Sequence, residues 1–571
     1  MILRIKNYAL ICLGLFAIVA KGQTLLPVPD TLAGPNYVLN MHKDSVQFFS
    51  GAKSRTFAFN QFKYLGPTLI FNKGANVSIT VNNQIGDTTT VHWHGIHLPA
   101  KWDGGPHTPI LPGSSWNPQF IVLDHAATYW YHPHLHMKTA VQAIKGAAGL
   151  IIVRDPAEAA LTLPRKYGVD DIPLVVQCQQ YNAQNQAMPR GMEDSTILVN
   201  GARANYGYTV YTNLPAQVVR LRILNASGER AFNFGFTGNK QFKIIGSDGG
   251  LLNSPVNATR VRLAPGERTE VLVDLTGMMS QTIHLKSYAS ELPIGVQGGP
   301  TMPMPPNSPP MDSPLNGVDF NILQINVGPQ TANPVTTIPA TLVNNVPYLP
   351  SAANATRKIR FTADSAMVMD GPFYFNDSSF NMMRIDHQIP LNSTEIWTLV
   401  NKTMVAHPFH IHDVQFRILD RNGLPASPDE GGRKDVVLVL PEDSVSFITK
   451  FEDYADDQVP FMYHCHILMH EDDGMMGQFI VSSNAVGIGE NQLIQNIDLF
   501  PNPTKSLISI VSHNEGINKI EVFDKLGKKV LVSNFYKSKQ TTIDFSNLDT
   551  GIYLMLIYSN EAMITKKIIR E

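Results

Sequence analysis

The stretch 464-HCHILMHEDDGMM-476 places Cys465 between His464 and His466, with His470 and Met475 a short distance downstream. Side chains of a β-strand alternate between the two faces of the strand. If these residues form a strand, the two flanking histidines point to one side and the cysteine points to the other. The stretch therefore predicts a β-strand that serves two separate metal sites, one on each face.

Three more histidine clusters lie far from this stretch in the sequence: 92-HWHG-95, 132-HPH-134 and 407-HPFHIH-412. The same alternation places His410 and His412 on one face, whereas His407 has the opposite parity and can serve the side of the cysteine. Two clusters are close to the N-terminus and two are close to residue 440. We therefore expect the first and third globular parts of the chain to share an interface.

The side of the cysteine offers Cys465, His407, His470 and, more weakly, Met475. Two imidazoles, a thiolate and a distant thioether form the ligand set of a blue-copper centre, also called type 1. Zinc is the alternative, although it prefers a closed tetrahedral site and has no use for a methionine at this spacing.

The opposite side gathers eight imidazoles, which suit a cluster of several copper ions better than a single ion. They are His92, His94, His132, His134, His410, His412, His464 and His466.

The rest of the sequence is typical of an all-β protein. Short segments such as 76-NVSITVNN-83 and 217-QVVRLRILN-225 are rich in Val, Ile, Leu and Thr and are bounded by turn residues, which predicts sandwich or barrel domains. The length of 571 residues suggests three to four domains. The net charge of -2 gives no reason to expect a nucleic acid as a partner.

The sequence suggests a division into six segments. We expect a signal peptide, three β-sandwiches, a linker and a small β-rich module at the C-terminus. Their bounds are 1–22, 24–156, 172–329 with a Pro- and Met-rich loop at 299–317, 336–483, 484–496 and 497–571.

The N-terminus has the pattern of a signal peptide, with Arg4 and Lys6 before an apolar run and the small residue Gly22 at the expected cleavage site. An uncleaved anchor is the alternative. Export would leave Cys178 and Cys465 in an oxidising compartment, where the two could pair as a disulfide. We expect instead that Cys465 is a metal ligand and that Cys178, in an apolar run, is a buried core residue.

With all four histidine motifs present, the chain resembles a three-domain multicopper oxidase of the copper-efflux oxidase, spore-coat laccase and bilirubin oxidase group. The resemblance covers roughly 40 to 483 and implies cupredoxin-like Greek-key domains with four copper ions. It implies that His92 and His410 bind the type 2 copper. The resemblance also implies two type 3 coppers, one bound by His94, His132 and His466 and the other by His134, His412 and His464.

The resemblance also implies a reaction. A reductant would be oxidised at the blue copper, electrons would pass through the Cys465 thiolate to His464 and His466, and dioxygen would be reduced to water. Asp103 in 102-WDGGP-106 and Glu471 match the family's acids beside the cluster and could relay protons. The alternative for both is a solvated loop acid.

Several residues are expected to lie outside the copper sites or depart from the family pattern. Met137 and Asp413 occupy positions where the family usually has glycine. We expect a structural role for the histidines outside the four clusters and at the edge of the second one, such as His97, His107, His125 and His136.

Competing functions differ in copper content and substrate. A non-catalytic copper-binding protein would usually have lost ligands, and a copper nitrite reductase would lack the histidine at 466. Specialised cuprous oxidases place an acid four positions before the type 1 histidine, where this chain has Thr403. The Pro- and Met-rich loop offers only Met302, Met304, Met311 and Asp312. We therefore expect a laccase-like preference for phenols and aromatic amines, with cuprous oxidase as the alternative.

The C-terminal segment beginning 497-IDLFPNPTKSLISI-510 contains two strand-like runs, 519-KIEVFD-524 and 552-IYLMLIY-558. It resembles the C-terminal sorting domain of type IX secretion, which implies that the secretion machinery is a partner. A generic β-sandwich spacer is the alternative. The expected location is the cell surface or the medium, with the periplasm as the alternative.

Overall fold

A computed structural model of the protein describes residues 22–190, 193–301, 313–365, 368–483, 497–512, 516–525, 527–558 and 563–571. The predicted signal peptide up to residue 21, the linker 484–496 and the central part of the loop 299–317 lie outside these ranges. The chain divides into two compact units, Met1–Ala485 and Val486–Glu571. The predicted all-β architecture is confirmed, because the described residues form pairs of β-sheets around apolar cores.

The first strand, β1 (Gly22–Leu25), is followed by those of the first sandwich: β2 (Thr31–Ala33), β3 (Asn36–Val46), β4 (Ser54–Phe59), β5 (Thr68–Asn72), β6 (Asn76–Gln84), β7 (His92–His94), β8 (Ser115–Trp116), β9 (Gln119–Ile121), β10 (Thr128–His132) and β11 (Gly149–Arg154). One sheet has the order β2-β5-β11-β10-β7, and the other has the order β4-β3-β6-β8 with β9 beside β6. Inward-facing side chains of both sheets, such as Leu39 and Phe71, form one buried core. Helix α1 (Thr139–Ala143) precedes β11.

The second sandwich follows helix α2 (Pro156–Ala159). It contains β12 (Asp171–Tyr181), β13 (Ala187–Met188), β14 (Thr196–Val199), β15 (Ala202–Arg203), β16 (Tyr208–Pro215), β17 (Val218–Asn225), β18 (Phe232–Phe236), β19 (Phe242–Ser247), β20 (Gly250–Ala258), β21 (Val261–Leu263), β22 (Arg268–Asp274), β23 (Thr282–Ser287) and β24 (Phe320–Gly328). Its sheets have the orders β1-β16-β24-β23-β18-β21 and β15-β14-β12-β17-β22-β19-β20, with β13 beside β12.

The first strand differs from the division made from the sequence, which begins the first sandwich at residue 24. Strand β1 pairs in parallel with β16 of the second sandwich, from Gly22 opposite Tyr208 to Leu25 opposite Tyr211. All four β1 residues are exposed, so no hydrophobic alternation marks where the strand docks. Its backbone hydrogen bonds at the sheet edge determine its place.

The third sandwich contains β25 (Ala355–Ala363), β26 (Phe373–Phe375), β27 (His387–Pro390), β28 (Thr394–Asn401), β29 (His407–Ile411), β30 (Arg417–Arg421), β31 (Leu424–Pro425), β32 (Val436–Val439), β33 (Ser444–Lys450), β34 (Asp456–Cys465) and β35 (Met476–Ser482). The sheet orders are β26-β25-β28-β33-β30-β31 and β27-β35-β34-β29-β32. Helix α3 (Leu468–Asp472) connects β34 to β35. Its core is rich in aromatic residues and includes Cys465 and Met475.

The second unit contains β36 (Ile497–Phe500), β37 (Leu507–Ser512), β38 (Ile517–Phe523), β39 (Lys529–Ser538), β40 (Gln540–Asp544), β41 (Gly551–Tyr558) and β42 (Met563–Arg570). They form the sheets β36-β37-β40 and β39-β38-β41-β42, which enclose a separate apolar core. Short 3₁₀ turns elsewhere in the chain span Ala100–Trp102, Thr237–Asn239, Ala289–Glu291, Pro350–Ala352 and Pro428–Glu430. Within the described ranges, no helix has the length and apolar character that a membrane span requires.

Candidate metal centres

Two β-ladders position the histidine motifs. In the first sandwich, β7 pairs with β10 so that His92 lies opposite His132. In the third sandwich, β29 pairs with β34 so that His410 lies opposite His464. Directly opposite residues of an antiparallel pair hold their side chains close together on one face. Each ladder therefore concentrates imidazole rings on one patch of its sheet.

The two patches face each other, so the first and third sandwiches meet at the histidines. The Nε2 atoms of His134 and His464 are 3.0 Å apart. Two pairs of rings are stacked across the interface, His92 on His412 and His94 on His410, each with centroids 3.8 Å apart. The eight clustered histidines are each at most 1% exposed.

Ligand atoms within 4.8 Å of one another form three histidine groups in this cluster. Two of them have the composition that the resemblance implies for the type 3 coppers, and the remaining group contains both histidines implied for type 2. The groups are His94, His132 and His466; His134, His412 and His464; and His92, His94 and His410.

The donor atoms of the cluster suit metal ions. The Nε2 atoms of His92, His410 and His412 and both ring nitrogens of His466 are buried and have no hydrogen-bond partner among the described residues. Leaving a buried polar atom unpaired costs about 1–3 kcal/mol, which a bound metal would offset. Burial, reinforced by neighbouring histidines, holds the pKa of His94 and His466 well below the usual value. Neutral imidazoles with free lone pairs are the form that binds metals.

The two acids expected beside the cluster are buried there, and each contacts two of its histidines. His412 Nδ1 donates to Asp103 Oδ2 at 2.7 Å, and His92 Nδ1 donates to the Asp103 carbonyl oxygen at 2.9 Å. Glu471 has its carboxylate oxygens 3.3 Å from His134 Nδ1 and 3.2 Å from His464 Nδ1. The hydrogen bonds to Asp103 hold the Nδ1 atoms of His92 and His412, and the Glu471 carboxylate lies close to the Nδ1 atoms of His134 and His464, so the Nε2 atoms are left for a metal.

A third acid, Asp435, has the same kind of role, although the sequence motifs do not predict it. His94 Nε2 lies 3.1 Å from Asp435 Oδ1, and His410 Nδ1 donates to the Asp435 carbonyl oxygen at 2.8 Å. The acid immediately precedes the apolar strand β32, and no motif or spacing in the sequence singles it out.

On the other face of β34, Cys465 lies in the core of the third sandwich. Its Sγ atom is 3.6 Å from the Nδ1 atoms of both His407 and His470. Met475 is fully buried, its carbonyl accepts the Cys465 N–H at 3.0 Å, and its N–H donates to the His470 carbonyl at 2.8 Å. The structure thus brings together the donor atoms of His407, Cys465 and His470, and it places the backbone of Met475 beside Cys465 and His470.

The chemistry of the cysteine also suits a metal. Burial raises the pKa of the Cys465 thiol, so the thiolate needs a bound cation to form. Cys465 and Cys178 are both free and buried, which excludes a disulfide between them and agrees with the core position expected for Cys178. His407 Nε2 lies 2.9 Å from the Thr403 hydroxyl, so its Nδ1 atom is left for the metal.

The two residues that stand where the family usually has glycine share a backbone conformation. Met137 and Asp413 have φ angles of 64° and 69°, in the left-handed region that usually favours glycine. Asp413 tolerates this conformation better than most residues, and its Oδ1 atom lies 2.7 Å from His97 Nδ1.

The four histidines expected to be structural stand outside the ligand groups found among the described residues. His97 contacts carboxylates, and His107 Nε2 lies 2.7 Å from Gln478 Oε1. His125 lies 3.9 Å from Asp155 Oδ2, and His136 packs its ring against Phe380. Their structural role stays a prediction.

Sequence comparison matches four parts of the chain to known families. Residues 40–158, 173–285 and 352–485 each match a multicopper oxidase family, and residues 498–571 match the secretion system C-terminal sorting domain. The multicopper oxidase mco of Staphylococcus haemolyticus is 31% identical over 78% of this chain and 89% of its own length. The cell division protein FtsP of Sodalis glossinidius is 29% identical over 82% and 94%, respectively.

Solved structures give the same result. A bacterial laccase-like multicopper oxidase, CueO from Ochrobactrum sp., is 31% identical with a TM-score of 0.69, covering 80% of this chain and 100% of that one. The multicopper oxidase McoA from Aquifex aeolicus is 27% identical with a TM-score of 0.70, covering 81% and 100%. The chain therefore belongs to the multicopper oxidase family, which implies copper binding, and its residues 498–571 form a secretion system C-terminal sorting domain.

Proposed function

We propose that the protein oxidises a phenol, an aromatic amine or a similar small reductant in one-electron steps and reduces dioxygen to water. The observation that carries this proposal is the back-to-back arrangement around β34. His464 and His466 belong to the histidine cluster, while Cys465 between them belongs to the second site. The two sites are thus joined by the covalent backbone of three consecutive residues.

The proposal assigns four copper ions. His407, Cys465, His470 and Met475 hold the type 1 copper, His92 and His410 hold type 2, and the two triads around His94 and His134 hold the type 3 pair. When bound, copper supplies the one-electron oxidation of the reductant and the four-electron reduction of dioxygen.

The residues of the chain provide the remaining functions. Cys465 and its flanking backbone give electrons a covalent route between the two sites. Asp103 and Glu471 are the groups we assign to proton relay, because both carboxyl groups are buried beside cluster histidines. Asp103 Oδ1 has no hydrogen-bond partner among the described residues and is the atom we assign to proton delivery.

The acids near the type 1 site favour an organic reductant over Cu(I). Thr403 is buried and its hydroxyl is hydrogen-bonded, so it offers no carboxylate to a cation. Asp473, which follows His470 closely in the sequence, and Asp370 are both ion-paired with Arg190. The predicted loop methionines Met302, Met304 and Met311 lie outside the described residues, as does Asp312.

The test of this preference compares kcat/KM for Cu(I) with kcat/KM for a dimethoxyphenol on one preparation, without added Cu(II). We expect the phenol to have the equal or higher value. A kcat/KM for Cu(I) more than about tenfold higher, roughly 1.4 kcal/mol in transition-state stabilisation, would make cuprous oxidase the better assignment.

A non-catalytic role is the second candidate, because relatives at 29% identity are named as cell division proteins. All twelve ligand positions are filled in this chain, which favours the oxidase. Elemental analysis separates the two: the oxidase should hold four coppers per chain, and a non-catalytic relative should hold fewer.

We also propose that the N-terminal signal peptide exports the chain and that type IX machinery recognises the module that follows residue 496. The match of residues 498–571 to a secretion sorting domain supports this route. The mature enzyme would then work at the cell surface or in the medium.

A further inference from the structure

The carboxylate of Asp435 is held by a guanidinium from another sandwich. Arg268, at the start of β22, donates from both terminal nitrogens to the two oxygens of Asp435, each at 2.6 Å. Both side chains are fully buried. Such a two-pronged contact fixes the position and orientation of the carboxylate. Although burial lowers the pKa of Arg268, the carboxylates of Asp435 and Asp248 outweigh it and raise the pKa, so the guanidinium stays charged.

This pair joins all three sandwiches beside the histidine cluster. Arg268 also donates from Nε to the Thr128 carbonyl of the first sandwich at 3.0 Å, while Asp435 belongs to the third. Gly95, next to His94, leaves the space that this ion pair occupies. A Cβ atom there would lie 2.4 Å from Asp435 Oδ2 and 2.8 Å from Arg268, and the φ angle is 86°. The second sandwich, which supplies no expected copper ligand, thus reaches the edge of the cluster.

The contact determines which nitrogen of His94 carries the proton. A carboxylate already bound by a guanidinium can only accept hydrogen bonds, so His94 Nε2 at 3.1 Å must be the donor. The Nδ1 atom of His94 then keeps its lone pair. This atom faces His132, whose Nε2 atom is 3.4 Å away. His94 is in this respect the reverse of His92, His410 and His412, whose Nδ1 atoms are held and whose Nε2 atoms are free.

We infer that Arg268 and Asp435 are positioning residues that fix the tautomer of His94, so that its Nδ1 atom is available to the copper cluster. The inference rests on the proposed function, because it needs copper in the histidine cluster. It also gives the second sandwich a defined part in building a site that lies between the other two.

The variant Asp435→Asn tests the inference with little change in size. Either orientation of the Asn side chain sets its NH₂ group against another donor: at the Oδ1 position it meets Arg268 and His94 Nε2, and at the Oδ2 position it meets Arg268. The two-pronged contact that fixes the acceptor for His94 Nε2 is lost in both orientations. We expect the chelator concentration that removes half of the non-blue copper to fall about tenfold to a hundredfold. The blue absorption of the Cys465 site should stay intact. The readout is copper per chain by elemental analysis across a chelator series, with the blue absorption followed in parallel.

The matched control is Asp171→Asn, which breaks another buried two-pronged contact, between Asp171 and Arg222. It should lower the melting temperature yet leave the chelator resistance of the non-blue copper unchanged. Equal copper loss in both variants would show general destabilisation and overturn the inference. The inference would also be overturned if a folded, blue Asp435→Asn protein kept its non-blue copper at the same chelator concentrations as the wild type.

Arg268→Lys provides a second, milder variant if Asp435→Asn does not fold. Lysine keeps the positive charge, but it lacks the planar guanidinium that donates to both carboxylate oxygens at once. We expect a smaller drop in chelator resistance, of several-fold, and an unchanged resistance would contradict the inference. A wild-type chain without non-blue copper would instead refute the proposed function itself, so the two failures are distinguishable.

Discussion

Cys465 lies between the two candidate sites, because its Sγ atom faces His407 and His470 while its backbone leads to His464 and His466. Cys465→Ser should abolish the intense blue absorption and the oxidation of reductants, because a hydroxyl does not replace a soft thiolate ligand. Copper in the histidine cluster should largely remain. Visible spectra and copper analysis check both statements, and a blue, active serine variant would be incompatible with the assignment.

Asp103 tests proton delivery at the same scale. Asp103→Asn should slow the reduction of dioxygen by about a hundredfold, the low end of what a positioned proton donor contributes, and should leave the blue absorption intact. During turnover the blue colour should then stay bleached. Asp155→Asn is the control, because Asp155 is also buried but caps helix α2. An unchanged rate of Asp103→Asn under limiting dioxygen would exclude Asp103 from the reaction.

Local spacing in the sequence was sufficient to pick out the histidine and cysteine motifs that the fold brings together, and insufficient to pick out Asp435 and Arg268. His-x-His motifs reveal themselves because alternate strand residues share a face. The contact of Asp435 with His94 spans 341 positions in the chain, and a single aspartate before an apolar run has no distinguishing pattern. Only the packing of three sandwiches brings Arg268 to the same place.

At the scale of elements, the loops after β7 and β29 are joined by an ionic contact. His97 lies between Asp413 and Asp453, at 2.7 Å and 3.2 Å from their carboxylates. Burial alone would lower the pKa of His97, but the carboxylates of Asp413, Asp124 and Asp453 together outweigh it, and the pKa is raised from 6.5 to about 10. The contact accounts for an aspartate where the family usually has glycine.

The pH dependence of stability follows from this shift. A folded-state pKa above the unfolded value means that the stabilisation is complete below pH 6.5 and is lost as the pH rises toward about 10. The difference in melting temperature between wild type and His97→Gln should therefore shrink across this window. His284→Gln is the control, because burial lowers the pKa of His284 and the ring is neutral throughout. A difference that stayed constant across the window would contradict the ionic contact.

The strands themselves were predictable where they alternate or are continuously apolar, and strands such as β6 and β17 lie where the sequence placed them. Strand β1 was not predictable, because its exposed residues carry no hydrophobic pattern and its partner strand β16 is nearly 190 residues away in the chain. The domain bounds within the first unit stay predictions.

At the scale of the whole molecule, the two units have separate cores, and every expected copper ligand lies in the first. Deleting residues 496–571 should therefore leave a folded protein with unchanged copper content, blue absorption and melting temperature. In the native host, the shortened chain should accumulate in the periplasm. Cell fractionation checks this, and normal display of the shortened chain at the surface would show that the second unit is not a sorting signal.

The stoichiometry of the reaction decides whether the chain is a four-copper oxidase. The purified, copper-loaded chain would be supplied with a reductant that gives up one electron and forms a stable product, such as ferrocyanide, and the consumption of reductant and dioxygen would be measured together. A type 1 site joined to a cluster of three coppers predicts four reductant molecules oxidised per dioxygen, with no hydrogen peroxide released. Two reductant molecules per dioxygen with peroxide as product, or no dioxygen uptake by a chain that holds its copper, would contradict the account.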